Sequence, residues 1–546
     1  MTDIDESPST LGEPVQWDAP DNGVWSLETA HSATATAVPG RQLMERGFTE
    51  GFRGSFAGLG VPLSHIELRH INGWPYTSVF LHDVPRSAGK PPPDLVLRVF
   101  TRLHPGFRKR TKIAARAIAE NRALHISAEW EAERQSWIDR ILDLQGTDLQ
   151  QLDSAELAAH LTRVTGVARE GLRRHFEMIA GCIPLGRWLA QSAEWGLTQA
   201  AVRWAVMHST PVHEEARARL ARIAAALDGA APSDLDEVRA HSSEAAEALD
   251  DYIAHHGWWS TEDALDADRV MDHPGIVLGA ISLSRPEDSA GDDVSQLLDD
   301  LRQQVPESQR SEFDRLAAEA HRAHMLLDDN SGILASWLGG VTGEVYREAG
   351  RRLVASARLR EVDDIWAFTS DQILALLEDR SPLTDNDVGA IVSKWEMECA
   401  LTAPRHLNGE PTPPPDPGVF PAPVAQLMMA IGAFLNDKFN EGYETNGIGS
   451  RTVTGRAVVA RSPSDAFDRL EPGDILITTA TTPSYNAVLP IVAGLVVSEG
   501  GPSCHAAIVA RELDLPAIVG MQDALKAIPD GATITLDPVR ARVSVL

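Results

Sequence analysis

A histidine with glycines four and five residues ahead of it can act as a phosphoryl carrier, and this chain has one near its C-terminus. The order is Gly500-Gly501-Pro502-Ser503-Cys504-His505, directly after an apolar, strand-like run. The glycines permit a tight turn with open backbone N–H groups, and Ser503 stands where a helix N-cap belongs. Ala506, Val509, Ala510 and Leu513 then recur at the i, i+3, i+4, i+7 spacing of a buried helical face. His505 therefore falls in the first turn of a helix. There, unpaired N–H groups and the positive end of the helix dipole disfavour imidazolium and favour an anion. A neutral ring can attack phosphorus, and the same N–H groups, with the Ser503 hydroxyl, can hold the oxygens of the adduct. The spacing also suits a histidine that merely caps or packs the helix.

Such a site needs a strand to deliver the glycines, a helix to receive the histidine and a joint on which both can travel. Upstream, Gly455-Arg456-Ala457-Val458-Val459, Gly473-Asp474-Ile475-Leu476-Ile477, Thr481-Thr482-Pro483-Ser484-Tyr485 and the apolar run to Val497 supply strands and turns in order. Residues 442–450, with three glycines, read as a flexible joint. Residues 404–423 contain Pro411, Pro413, Pro414, Pro415, Pro417 and Pro421, too many for a helix interior, and read as a connection; one helix is expected over 424–436.

Residues 500–520, which continue as Leu513-Asp514-Leu515-Pro516-Ala517-Ile518-Val519-Gly520, resemble the phosphohistidine signature of the PEP-utilising enzymes' mobile domain. PEP synthase, pyruvate phosphate dikinase, rifampicin phosphotransferase and phenylphosphate synthase belong to that group. The resemblance covers about the last hundred residues and implies a β/α swivelling domain with His505 as the transiently phosphorylated residue. It also places Gly500, Gly501, Ser503 and Cys504 around the phosphoryl group, with Arg511 and Glu512 near it or near a partner. Ser503 stands where relatives more often have threonine.

A net charge of −29 over 546 residues argues against a general nucleic-acid binder or a protein of anionic membranes. The three cysteines, Cys182, Cys399 and Cys504, are too far apart for a disulfide framework or a zinc site, and a reducing cytoplasm is expected. The first 24 residues are acidic and rich in Pro, Ser and Thr, and read as a tail. Asn72-Gly73, between strand-like residues 65–68 and 76–81, predicts a hairpin. From about Thr111 the Ala-, Leu-, Glu- and Arg-rich stretches, including 155–180, 214–227 and 311–327, predict a mostly helical middle. The expected fold is multidomain α and α/β. Residues 1–24 are the tail, 25–403 a mostly helical unit with a small N-terminal β-hairpin region, 404–450 linker and hinge, and 451–546 the swivelling domain.

The helical unit also resembles the central segment of PEP synthase-like and rifampicin phosphotransferase-like proteins. The resemblance runs through Tyr346-Arg347-Glu348-Ala349-Gly350, Val362-Asp363-Asp364-Ile365-Trp366, His256-Gly257, Asp272-His273-Pro274, residues 103–108 and Asn72-Gly73. Trp258 and Trp259 follow the His-Gly pair where relatives often carry arginine. By this resemblance the helical unit binds the acceptor of the phosphoryl group, with His256 as the acceptor-side catalytic residue. Trp258, Trp74 and His175 are the acceptor-binding candidates. Other candidates are Trp259 and Trp366, His255, Arg173 and Arg174, and the basic cluster Arg108, Lys109, Arg110 and Lys112. Such charges also serve as solvated faces, and such tryptophans as core.

No G-x-x-x-x-G-K-[ST] loop occurs, nothing reads as an ATP-grasp domain, and no barrel for PEP or pyruvate is expected after residue 546. The arrangement resembles phenylphosphate synthase, whose phosphohistidine and nucleotide sites lie on separate subunits. ATP and magnesium are then expected on a separately encoded ATP-grasp partner, with none bound tightly by this chain and no metal ligated here. The acceptor is expected to be a small hydroxyl compound of the phenolic class, and the other products AMP and inorganic phosphate. Two rivals stand beside this reading. One is a relay protein that hands phosphate to another protein; the other is a ligand-binding protein with a vestigial carrier.

Overall fold

The computed structural model describes residues 15–28, 34–83, 93–206, 210–262, 264–284, 290–438, 445–481, 485, 488–500, 505–513 and 515–546. The hairpin forms where the sequence places it. Asn72 and Gly73 take positive φ of 48° and 83°, as a two-residue primed turn requires. They join two strands of a four-stranded antiparallel sheet composed of β1 (Trp25–Leu27), β2 (Leu63–Ile71), β3 (Trp74–Leu81) and β4 (His406–Leu407), in the order β2-β3-β1-β4. The fourth strand comes from the proline-rich segment. That segment is therefore stitched to the N-terminal sheet, and Tyr76 donates its hydroxyl hydrogen to the Pro404 carbonyl at 2.6 Å.

The middle of the chain is helical. The helix Ser154–Glu177 starts on a capping box, with Asp153 accepting from the Glu156 N–H at 2.8 Å and Glu156 accepting from the Asp153 N–H at 2.9 Å. It packs against Val38–Leu59 along a face where Gly47 and Gly51 admit close approach. One large core joins these helices to Arg122–Gln145, Arg310–Ser331, Leu338–Ala355 and Ala422–Lys438. The last of these is the helix expected over 424–436, and it too belongs to the helical unit: a Cβ on Gly186 would lie 1.8 Å from the Ala430 carbonyl oxygen.

Two turns of π-helix interrupt the helices, at Ile253–Gly257 and Gly332–Trp337. They face each other, with the His255 and Trp337 rings 5.9 Å apart. Glycines make room for the segment between His256 and Arg269. A Cβ on Gly340 would stand 1.8 Å from the Trp258 carbonyl oxygen, one on Gly343 2.4 Å from that of Leu265, and one on Gly332 2.8 Å from the Trp259 ring.

The C-terminal unit is built on a seven-stranded sheet. Its strands are β5 (Asn446–Ile448), β6 (Val453–Val459), β7 (Ile475–Thr478), β8 (Gly494–Val497), β9 (Ala517–Val519), β10 (Thr533–Asp537) and β11 (Arg542–Val545), ordered β11-β10-β6-β7-β8-β9-β5. β6, β7, β8 and β9 are parallel, and the outer pairings are antiparallel. β5 comes from the stretch expected to be hinge, so the sheet begins at Asn446. Almost every residue of β7, β8 and β9 is buried, which is why these segments read as continuous apolar runs.

Candidate functional site

His505 opens the helix His505–Glu512, which connects β8 to its parallel neighbour β9. In a β-α-β unit the helix starts beside the carboxyl end of the first strand, the edge where open parallel sheets bind ligands. Gly500 sets the turn out of β8: its φ of 100° lies in a region that L side chains rarely adopt. Ala506, Ala507, Val509 and Ala510 are buried in the core beneath. That burial ties the start of the helix to the sheet edge. Gly501, Ser503 and Cys504 lie outside the described residues, as do the side chains of His505, Arg511 and Glu512.

The helical unit meets the carrier unit through the helix Pro274–Leu283. Ile276 is buried in the same apolar cluster as Tyr485, Val488 and Leu489; the His273 ring lies 5.2 Å from that of Phe467; and Gly279 leaves room for Ile491. His273 pairs with Asp268 at 3.2 Å, and the Asp268 carboxylate raises its pKa against the opposing effect of burial. Tyr485, bonded through its hydroxyl to Thr478 at 3.0 Å, is pushed up to about 12 by burial. The C-terminal unit therefore rests on the segment that follows His256.

His256 is 5% exposed and sits between the rings of Tyr252 (5.5 Å) and Trp259 (5.2 Å), with an Arg219 guanidinium nitrogen 3.5 Å from Nε2. Burial, and then the Arg219 charge, push its pKa down to about 3. The ring is thus neutral at neutral pH, and its Nδ1 has no hydrogen-bond partner among the described residues. Because the unfolded histidine takes a proton near pH 6.5 and the folded one only near 3, stability is complete above 6.5 and falls as pH drops from 6.5 towards 3. Urea unfolding at pH 7.5 and 5.0 is expected to show the wild type losing about 2 kcal/mol more than His256→Gln over that interval.

His175 lies elsewhere, on the helix Ser154–Glu177, with Nδ1 2.7 Å from Asn330 Oδ1. It lines a partly open cavity of about 70 Å³ with Met44, Leu172, Phe176, Leu265 and Leu334, whose surface is mostly apolar. Trp258 stacks under Arg269 at 4.9 Å, on the segment that also supplies Leu265 to the cavity. Trp74 is not brought to this place. It belongs to the N-terminal sheet's own cluster with Trp25 and Tyr76, and donates to the Glu398 carbonyl at 3.2 Å. Arg173 and Arg174 are taken up by Glu177 and Glu133, and Arg110 is buried with its guanidinium on the Phe56 carbonyl at 2.7 Å.

Sequence reasoning missed the residues that hold this region together. Asp328, Asp329 and Asn330 end the helix Arg310–Ser331 just before its π turn. Asp329 accepts from Trp130 Nε1 at 2.7 Å and from Arg134 Nε at 2.9 Å. Burial would raise the Asp328 carboxyl, but His213 at 3.1 Å, His324 and the Thr210 hydroxyl hold it below the usual carboxylate range. Arg347 donates to the carbonyls of Asp266 (2.8 Å) and Ala267 (2.5 Å), which clamps the segment after Trp258. The readable signals were the Asp-Asp-Asn run and the glycines at 332, 339, 340 and 343 on successive turns. Among the described residues no three His, Cys, Asp or Glu converge as a metal set, and no helix is long and apolar enough to cross a membrane.

Residues 470–540 match the family described as PEP-utilising enzyme, mobile domain, as the resemblance over residues 500–520 implies. Rifampicin phosphotransferase of Streptomyces sviceus is 26% identical over 332 residues, 55% of this chain and 36% of that protein. An uncharacterized phosphotransferase of Bacillus subtilis is 26% identical over 242 residues, 43% of this chain and 27% of the relative. Phosphoenolpyruvate synthase of Escherichia coli is 40% identical over 93 residues, 17% of this chain and 12% of the synthase. The chain thus spans between about an eighth and a little over a third of these relatives.

Proposed function

We propose that this chain, whose C-terminal unit is a PEP-utilising enzyme mobile domain, is the phosphohistidine-bearing component of a phosphotransferase, taking a phosphoryl group onto His505 and passing it to a hydroxyl compound. The observation that carries this reading is the position of His505 at the first residue of a helix on the carboxyl edge of parallel strands. In the discharging step the acceptor oxygen forms a bond to phosphorus as the phosphorus–imidazole bond breaks. The hydroxyl proton goes to a base, and the ring, carrying its proton on the other nitrogen, keeps the electron pair of the broken bond and leaves as neutral imidazole. The N–H groups of the first helical turn oppose charge on the ring and attract the phosphoryl oxygens.

The donor is ATP, held with magnesium by a separate ATP-grasp protein, and the carrier visits the two sites in turn. The acceptor sits in the helical unit, in the apolar cavity beside His175, whose wall includes Leu265 on the segment that leads from His256 to the helix bearing Ile276. The lining favours a hydrophobic or aromatic body with one hydroxyl, such as a phenol. At about 70 Å³ the cavity takes only a few waters, so a ring enters with movement of the Leu265 segment. His256, neutral and enclosed, is a poor direct base at this site and acts by positioning that segment.

The test is a discharge assay. Protein phosphorylated on His505 is separated from nucleotide and mixed with a panel of phenols and aliphatic alcohols. Phosphate is then followed from protein to product. Acceptor-dependent loss of the label, with a phosphate ester formed in equal amount, is the expected result. Hydrolysis alone with every compound, and transfer only to added proteins, would replace this reading with the relay.

A further inference from the structure

The helix Asp94–Leu103 is turned inside out. Its one buried residue is Thr101, whereas Leu95, Val96, Val99 and Leu103 are 73%, 53%, 51% and 70% exposed. At 100° per residue these four share one face of the helix. The orientation is held by specific bonds: Thr101 Oγ1 and Arg102 Nη1 both donate to the Val419 carbonyl, at 3.2 and 3.0 Å. The aliphatic face is therefore presented to solvent by the fold.

Its surroundings are equally distinctive. Residues 95–119 contain seven Arg or Lys and no Asp or Glu, against the carboxylates of Asp94 at the start of the helix and of Asp83 beside Gly106, in a chain of net charge −29. Arg98 and Arg102 flank the aliphatic face, and Arg108, Lys109 and Lys112 are exposed on the next helix, Pro105–Ala119, with no ion pair among the described residues. An apolar centre with a basic rim fits an acidic partner that offers an apolar groove. Two copies of the patch would repel each other. Place matters too: Val419 lies just before Ala422–Lys438, the helix that leads to the carrier unit, and Pro105–Ala119 packs on that helix.

We infer that this surface is the docking site of the nucleotide-binding protein that charges His505, a partner with an acidic, apolar-centred face. The inference rests on the proposed phosphotransfer for the partner's identity, and on the exposed helix for its place. Docking here brings the donor to the root of the carrier's tether.

The probe is a purified ATP-grasp protein from the same genome, with binding followed by sedimentation velocity and His505 phosphorylation read separately by intact mass. The full-length variants are Leu95→Asp/Val99→Asp and Arg98→Glu/Lys109→Glu, whose exposed positions leave the melting temperature as a check on folding. The expected result is a one-to-one complex weakened at least tenfold by either pair and by added salt, with His505→Ala binding as the wild type does. Complex formation unchanged in both variants would overturn the assignment, as would absence of any complex. So would finding that the surface serves instead a dimer of this chain, its own residues 1–14 or vesicles of anionic phospholipid. Phosphorylation with unaltered binding removes the surface and keeps the phosphotransfer. A complex made through the surface without phosphorylation does the reverse.

Discussion

His505→Ala is expected to abolish acid-labile phosphoryl uptake from a competent ATP-grasp partner, by at least about a thousandfold, because it removes the nucleophile itself. His505→Gln should fail equally, since an amide can begin a helix and accept hydrogen bonds but cannot form a phosphoramidate. Both variants should melt with the wild type, as the helix is anchored by Ala506, Ala507, Val509 and Ala510 in the core. Intact mass at alkaline pH, where phosphohistidine survives, reads the result. Uptake that persists in both variants would move the carrier role to another residue and remove the proposed mechanism.

The second large effect lies 176 positions earlier in the chain, at Asp329. This carboxylate is 2% exposed and holds Arg134 in a two-nitrogen grip while accepting from the Trp130 indole. Asp329→Ala leaves Arg134, among the described residues, with the half-exposed Glu215 at 2.9 Å, and strips the indole N–H of its partner inside the core. Breaking one side of a buried ion pair costs about 3–5 kcal/mol. The surviving Glu215 contact places the expected loss near the lower figure, about 3 kcal/mol. Urea unfolding of the full chain measures it. An Asp329→Asn variant that keeps one acceptor oxygen should recover part of the loss, and a null effect in both would mean the network contributes little.

What the sequence disclosed was local. Asn72-Gly73 announces its turn through two backbone conformations that few other pairs adopt, and the helical periodicity of 155–180 marks the helix Ser154–Glu177 to within three residues at either end. The Gly500–His505 spacing works in the same way, since a strand end, a turn and a helix start need no distant partner to be recognised. What stayed hidden was tertiary. β1 is three residues long and is completed by His406 and Leu407, some 380 positions away, in a segment whose prolines advertise only a connection. Trp74 and Trp258 look alike as residues, yet one closes the N-terminal sheet and the other rides on a segment clamped by Arg347. A π turn adds one residue to a helix without changing its composition, so neither of the two facing turns was legible. The cavity beside His175 was likewise invisible, because helices far apart in the sequence enclose it.

The packing of Ala422–Lys438 into the helical unit has a kinetic meaning. Gly186 lets this helix sit so close that its backbone is effectively part of the body, and only seven residues separate Lys438 from the first strand of the carrier sheet at Asn446. Fully extended, they cover at most about 25 Å. If the C-terminal unit moves as the proposed function requires, so short a connection keeps it at an effective concentration in the millimolar range about its own helical unit, whatever the dilution of the protein. On the proposed function, delivery to the acceptor would be first order and insensitive to dilution, whereas charging by a separate protein would slow as both are diluted.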